Sequence, residues 1–173
     1  AEERDAYDEF HQFCKGHFGA EKEPLVYETF GKTLRLLRAG TWQHTSENSA
    51  VLGWETNLPA QSRIRYGLGE TPDKHTDWTD RHYYLHIHHL ANLAINQKIS
   101  YQLEAIDERG NQFLSPKKTL TPKAIPDAIH LPGKKPQFPI ELKKSGTYVL
   151  TRNLVVDASA FNIVGHDITL DLN

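Results

Sequence analysis

Between residues 49 and 111 the chain is a succession of short segments that alternate apolar and polar residues and are separated by turn formers. The first is Ser49-Ala50-Val51-Leu52-Gly53-Trp54-Glu55-Thr56, where Val51 and Trp54 stand on a slightly broken alternation. The next is Pro59-Ala60-Gln61-Ser62-Arg63-Ile64-Arg65-Tyr66-Gly67, with Ile64 and Tyr66 on one face. A third runs over 99–107 and puts Ile99, Tyr101, Leu103 and Ala105 on one face, before Gly110-Asn111. Period two between turns is the pattern of half-buried antiparallel strands, because successive side chains on a strand point to opposite sides. A helix needs a period near 3.6, so this region is mainly β. Leu34-Arg35-Leu36-Leu37-Arg38-Ala39 reads as the strand that precedes them, with Trp42 and His44 near its end. Trp54 is the expected core anchor, since a buried Trp removes about 150–250 Å² from water. Residues 67–80 are polar, with Gly69 and Pro72, and read as a loop plus a short edge strand around Trp78.

These segments resemble a fibronectin type III domain of the variant found ahead of the catalytic domain in purple acid phosphatases and many secreted bacterial enzymes. The matching residues are Ser49-Ala50 with Trp54 and Thr56, then Pro59-Ala60, Ser62, Ile64 and Tyr66-Gly67, then His88-His89-Leu90 with Leu93, and the strand over 99–107. The chain departs from that family at Ile99, where an aromatic residue usually opens the penultimate strand, and in Ala94-Ile95-Asn96-Gln97, which lacks the usual Pro-Gly. The resemblance covers about half the chain and implies a β-sandwich over 33–121.

Composition narrows the class of function. Charged residues make up 24% and apolar ones 38%, ordinary values for a soluble globular chain. The formal net charge is −2, and the basic excess of a nucleic-acid binder is missing. No apolar run approaches the roughly 20 residues that span a bilayer. The single cysteine, Cys14, allows no intrachain disulfide. The chain opens on Ala1-Glu2-Glu3-Arg4 without methionine, which suits a mature chain after signal-peptide removal or an excised piece of a longer one.

Residues 1–32 read as an amphipathic helix and a connector. Ala6, Phe10, Phe13, Cys14 and Phe18 recur at helical spacing, acidic residues crowd the first turn, and Gly16 and Gly19 end it. His11, Cys14 and His17 invite a metal reading, but His17 falls about a third of a turn from His11. Cys14 is read as a small apolar residue packing with Phe10 and Phe13.

The most unusual run is His82-Tyr83-Tyr84-Leu85-His86-Ile87-His88-His89. On a strand, His82, Tyr84, His86 and His88 share one face, and Tyr83, Leu85, Ile87 and His89 the other. Leu85 and Ile87 point to the second face as the core side, whereas Leu90 has the parity of the first, so a bulge near His88-His89 is expected to reconcile them. His82, His86 and His88 are the candidate metal ligands, because imidazoles at i and i+2 can chelate. The run holds no carboxylate or cysteine to complete a set, and a solvent-facing strand with cross-strand pairs is the competing reading. Domains resembling this one carry a His-His here without a metal.

Residues 122–139 contain Pro122, Pro126, Pro132, Pro136 and Pro139 and read as an inter-domain linker that resists helix and sheet. The tail, 140–173, changes pattern again. Ser145-Gly146-Thr147-Tyr148 with Leu150, Asn153-Leu154 with Val156, and Ile168-Thr169-Leu170-Asp171-Leu172-Asn173 resemble the first rungs of a right-handed parallel β-helix of the pectate-lyase-like kind. Short strands spaced by about 15–20 residues fit one turn of such a solenoid. The resemblance implies inward Ile168, Leu170 and Leu172, and a last strand that pairs with the remainder of the same polypeptide or with another chain.

No Gly-x-Ser-x-Gly elbow and no phosphate loop is present. Gly165-His166-Asp167 is the only echo of a binuclear phosphatase, and it lies within the tail pattern. No catalytic or cofactor-binding residue is assigned, and whether the whole protein is an enzyme stays open. The expected role is a non-catalytic N-terminal accessory or spacer region of a secreted, periplasmic or cell-surface carbohydrate-active β-helix protein. A polysaccharide lyase or glycoside hydrolase is the expected parent and polysaccharide the expected partner. The alternative is a structural or adhesive protein of the cell surface.

Overall fold

The computed structural model describes Asp5, Ala6, Glu9, Phe10, Gln12 and residues 30–173. The helix expected over 5–18, with His11, Cys14 and His17, otherwise lies outside the described residues. The described chain is mainly β and holds a β-sandwich followed by short parallel strands.

The sandwich is built on one long strand. Strand β1 (Leu36–Thr45) turns into β2 (Ala50–Leu68), which is continuous over the stretch that the alternation divides into two. The first part of β2 pairs antiparallel with β1 on one side and with β4 (Tyr83–Leu90) on the other. Its second part pairs with β5 (Ile99–Asp107) and with the two-residue β3 (Lys74–His75). Strands β6 (Gln112–Leu114) and β7 (Lys118–Leu120) complete the second layer against β5. The register with β4 slips between Glu55 and Ala60, and Pro59 falls in that gap, where its missing N–H costs no ladder bond. The buried Asn57 holds the crossing: its amide donates to the carbonyls of Phe30 and Thr33, and its Oδ1 accepts from the Arg35 N–H.

The core lies between the two layers. Ala50, Leu52, Trp54 and Leu90 from one meet Ile64, Ile99, Tyr101, Leu103 and Leu120 from the other, and Trp54 is fully buried. Alternation over 99–107 is reproduced except at Ser100, which is buried along with Ile99 and Tyr101. The Tyr101 hydroxyl crosses to the other layer and donates to Gln43 Oε1 at 2.9 Å. The edge strand expected around Trp78 instead falls at Lys74–His75. Trp78 serves as a platform for the Arg63 guanidinium, 4.5 Å from its ring centre, while Arg63 is paired with Glu104 at 2.6 Å.

Beyond the sandwich, β8 (Ile129–Leu131), β10 (Gly146–Leu150) and β12 (Ile168–Asp171) form a parallel three-stranded sheet. Strands β9 (Ile140–Leu142) and β11 (Phe161–Ile163) form a parallel pair. Strand β8 falls inside the proline-rich segment expected to resist sheet; its three residues fit between Pro126 and Pro132, so no ladder donor is lost. Tyr148 aligns with Ile129 and Leu170, and these pack with Leu131, Leu142, Leu150, Phe161 and Ile168 in a second small core. Ile168 and Leu170 point inward as expected. Leu172 does not: it is exposed, and the buried neighbour is Asp171.

Candidate functional site

The histidine run stands on β4, and its faces are the reverse of those that hydrophobicity suggests. Tyr84, His86, His88 and Leu90 are buried, while Leu85 and Ile87 face outward. The register explains it. His86 lies opposite Trp54 and His88 opposite Leu52, so both share the side of the sheet that faces the core. Leu90 has the same parity and pairs with Ala50 in unbroken register, so no bulge forms at His88-His89.

Both imidazoles are partnered as neutral groups. The Trp54 indole stacks on each with ring centres 5.2 Å apart. The Thr56 hydroxyl donates to the Leu58 carbonyl, so its oxygen accepts from His86 Nε2–H at 2.9 Å. His86 Nδ1 is then a bare acceptor, buried and without a hydrogen bond. Thr76 Oγ1 accepts from the Ile64 N–H and donates to His88 Nδ1 at 3.1 Å, which leaves His88 Nε2–H to donate to Ser62 Oγ at 2.9 Å. His88 thus ties β4 to the opposite layer. Burial, with the nearby His88 as a smaller cause, lowers the His86 pKa to about 3. Burial lowers that of His88 too. Desolvation penalises the cation, so these rings are core members in their neutral form.

Of the three candidate ligands, His86 and His88 are neighbours, with Nε2 of both and Nδ1 of His88 engaged by hydroxyls. His82 is half-buried and precedes the strand. Among the described residues no group of three or more His, Cys, Asp or Glu side chains is arranged to hold a metal ion.

A second polar cluster joins the sandwich to the parallel strands. The turn between β1 and β2 supplies Ser46, Glu47 and Ser49. Ser46 Oγ donates to Asp171 Oδ2 at 2.7 Å, and Ser49 Oγ donates to Asn173 Oδ1 at 3.0 Å. Glu47 accepts from the Ile125 N–H at 2.9 Å and meets His130 Nε2 at 2.8 Å. Two of these contacts fall on one row of the parallel sheet, since Val149 aligns with His130 on one side and Asp171 on the other. Val149 is fully buried beneath them. The Ile125 amide, then His130, holds the Glu47 carboxyl below its ordinary pKa. His44 Nε2 stands 3.6 Å from Asp171. A cleft of about 640 Å³ opens beside this junction, lined by residues of the β1–β2–β4 outer face and of the tail.

Sequence reasoning missed this junction. Ser46 and Glu47 carried no reading, Ser49 was read as the start of a strand, and the signal the sequence did hold was the acid of Asp171 between two leucines.

No protein-family model and no curated protein matches the chain. Among solved structures it is similar to one described as "Myokine structure", at 16% identity and a TM-score of 0.39, over 53% of this chain and 99% of that one. A computationally redesigned β-sandwich protein aligns at 16% identity and a TM-score of 0.36, over 54% of this chain and 94% of the other. Astrotactin-2, a perforin-like membrane protein of neuronal development, aligns at 15% identity and a TM-score of 0.36; the match spans 55% of this chain and 22% of that protein.

Proposed function

We propose that this chain is a non-catalytic, fibronectin type III-like accessory module joined to the first rungs of a right-handed parallel β-helix, the front of a secreted carbohydrate-active protein. The junction carries the reading. One turn of the sandwich grips the two outer strands of the parallel sheet, β8 at His130 and β12 at Asp171, and holds Asn173 just beyond β12, while Val149 of the central β10 is sealed underneath. A spacer that fixes where a solenoid begins needs such a grip, and a freely tethered module does not. The aligned positions Ile129, Tyr148 and Leu170 step by 19 and 22 residues (129 to 148, 148 to 170), a solenoid-like period. A polysaccharide lyase or glycoside hydrolase is the proposed parent, and polysaccharide the proposed partner.

Two measurements test this. Incubated with soluble polysaccharides, the chain alone is expected to release neither reducing ends nor unsaturated products. Turnover that survives purification to homogeneity would refute the non-catalytic reading. Mass spectrometry of the native polypeptide is expected to give a mass well above 19.7 kDa, and a native mass at that value would refute the front-end reading.

A further inference from the structure

Three outward rows cross the sheet formed by β1, the first part of β2, and β4. Trp42 pairs with Gly53, which pairs with Ile87; His44 pairs with Val51, which pairs with His89; Leu37 pairs with Glu55, which pairs with Leu85. In the middle row the Trp42 ring lies across the backbone of Gly53, so that a Cβ at 53 would fall inside the indole. Gly53 is therefore the reason the ring lies flat. Trp42 remains 44% exposed and Ile87 beyond it 56% exposed. A large aromatic side chain seated on a sheet and still open to solvent offers an apolar face to a partner.

We propose that this face is a saccharide-binding platform, with Trp42 as the stacking residue, for a neutral polysaccharide of pyranoses with equatorial hydroxyls. The proposal rests on the carbohydrate reading above and adds the site and the class of sugar. A pyranose of that stereochemistry presents axial C–H groups on its faces and hydroxyls on its rim. The faces pack on an indole, and each rim hydroxyl needs groups that can donate and accept. The structure supplies both in sequence. Two residues from Trp42, roughly 7 Å along the strand, His44 opens the row that lines the 640 Å³ cleft. That cleft also presents His89, Thr147, Asn153 and Thr169. Its volume is in the range of small-ligand sites, and its lining holds no Lys or Arg. The one carboxylate there, Asp171, is engaged by Ser46 and by the Asn173 N–H. The adjoining cleft adds a single cation, Arg152, too little to select a polyuronate.

Affinity electrophoresis of the whole chain in gels containing soluble mixed-linkage β-glucan tests this, with polygalacturonate as the charged comparison. The wild-type chain is expected to be retarded by the β-glucan. Trp42→Ala is expected to weaken that binding about tenfold or more, and Trp42→Tyr to keep most of it. Gly53→Ala, which pushes the ring off the sheet, is expected to weaken it while Trp42 is still present. Far-ultraviolet circular dichroism and urea midpoints report whether each variant is folded, and Gly53→Ala carries the comparison if Trp42→Ala is not, undiminished retardation of the folded Gly53→Ala overturning the platform. Equal retardation of the wild type and a folded Trp42→Ala would overturn the platform and leave the carbohydrate reading standing. Retardation by polygalacturonate alone would overturn the neutral class. No retardation by either polymer would overturn the platform and the carbohydrate reading together. Concentration-dependent sedimentation of the wild type that Trp42→Ala abolishes would make the face a protein interface, and would overturn the proposal.

Discussion

Acid is expected to loosen the sandwich through His86. In the fold His86 is neutral, with a pKa of about 3, while in the unfolded chain it titrates near 6.5. The depressed pKa fixes the sign. Above about 6.5 neither state is protonated and the contribution to stability is whole. As pH falls from 6.5 toward 3, the unfolded chain takes up a proton that the fold refuses, and stability is lost. At pH 5 the loss is 2.303RT multiplied by about 1.5 pH units, or about 2 kcal/mol. His88, lowered in the same direction, steepens the slope. Urea titrations at pH 7.5 and pH 5, followed by tryptophan fluorescence, read this out for the wild type and for His86→Gln. Gln can still donate to Thr56 Oγ1 but does not titrate. The exposed His44, His130 and His166 are common to both proteins and cancel. The wild type is expected to lose about 2 kcal/mol more than the variant between the two pH values. Parallel losses would show that His86 is not held neutral in the core, and the stacking and hydroxyl assignments would fall with it.

Two further expectations concern packing and the junction. Trp54→Ala removes the fully buried ring on which both imidazoles stack and is expected to cost on the order of 3–5 kcal/mol in a denaturant titration; a loss under about 1 kcal/mol would show that the ring is not core. Glu47→Ala leaves the Ile125 N–H and His130 without their acceptor and is expected to cost on the order of 1–2 kcal/mol, measured by thermal unfolding at pH 7. Because the Glu47 pKa is lowered in the fold, its contribution is present above the ordinary carboxylate range and fades as pH falls through it, so the variant and the wild type are expected to converge in acid.

The sandwich strands were legible because their signal is local. Ile99, Tyr101, Leu103 and Ala105 repeat at period two, and the burial of β5 follows them. Strand β4 was legible as a strand and misread as to face. Leu85 and Ile87 outrank histidine on any apolar scale, but the face is set by the register against Trp54, which is non-local. What makes His86 and His88 acceptable inside is three hydroxyls, on Thr56, Ser62 and Thr76, and an indole. None of these can be placed beside them from the sequence. The same limit hid the junction. Alternation of Ile168, Leu170 and Leu172 argued for three inward residues, whereas Ser46 holds Asp171 from 125 positions away and Leu172 is left outside. Gly53 drew no reading of its own within the first strand, and its role is visible only once Trp42 is seen to lie on it.

The central claim is that the β1–β2 turn binds the sandwich and the parallel strands into one unit, and native-state hydrogen exchange tests it most directly. Strand β12 pairs with β10 through Gly146–Ile168 to Val149–Asp171, and that pairing is anchored from the sandwich at Asp171 and Asn173. The amides of β12 that donate to this pairing are expected to be protected, and their protection to fall when Ser46 and Glu47 are both changed to alanine while that of β5 persists. Unprotected exchange across Ile168–Asp171 in the wild type, or protection indifferent to those two substitutions, would contradict the claim.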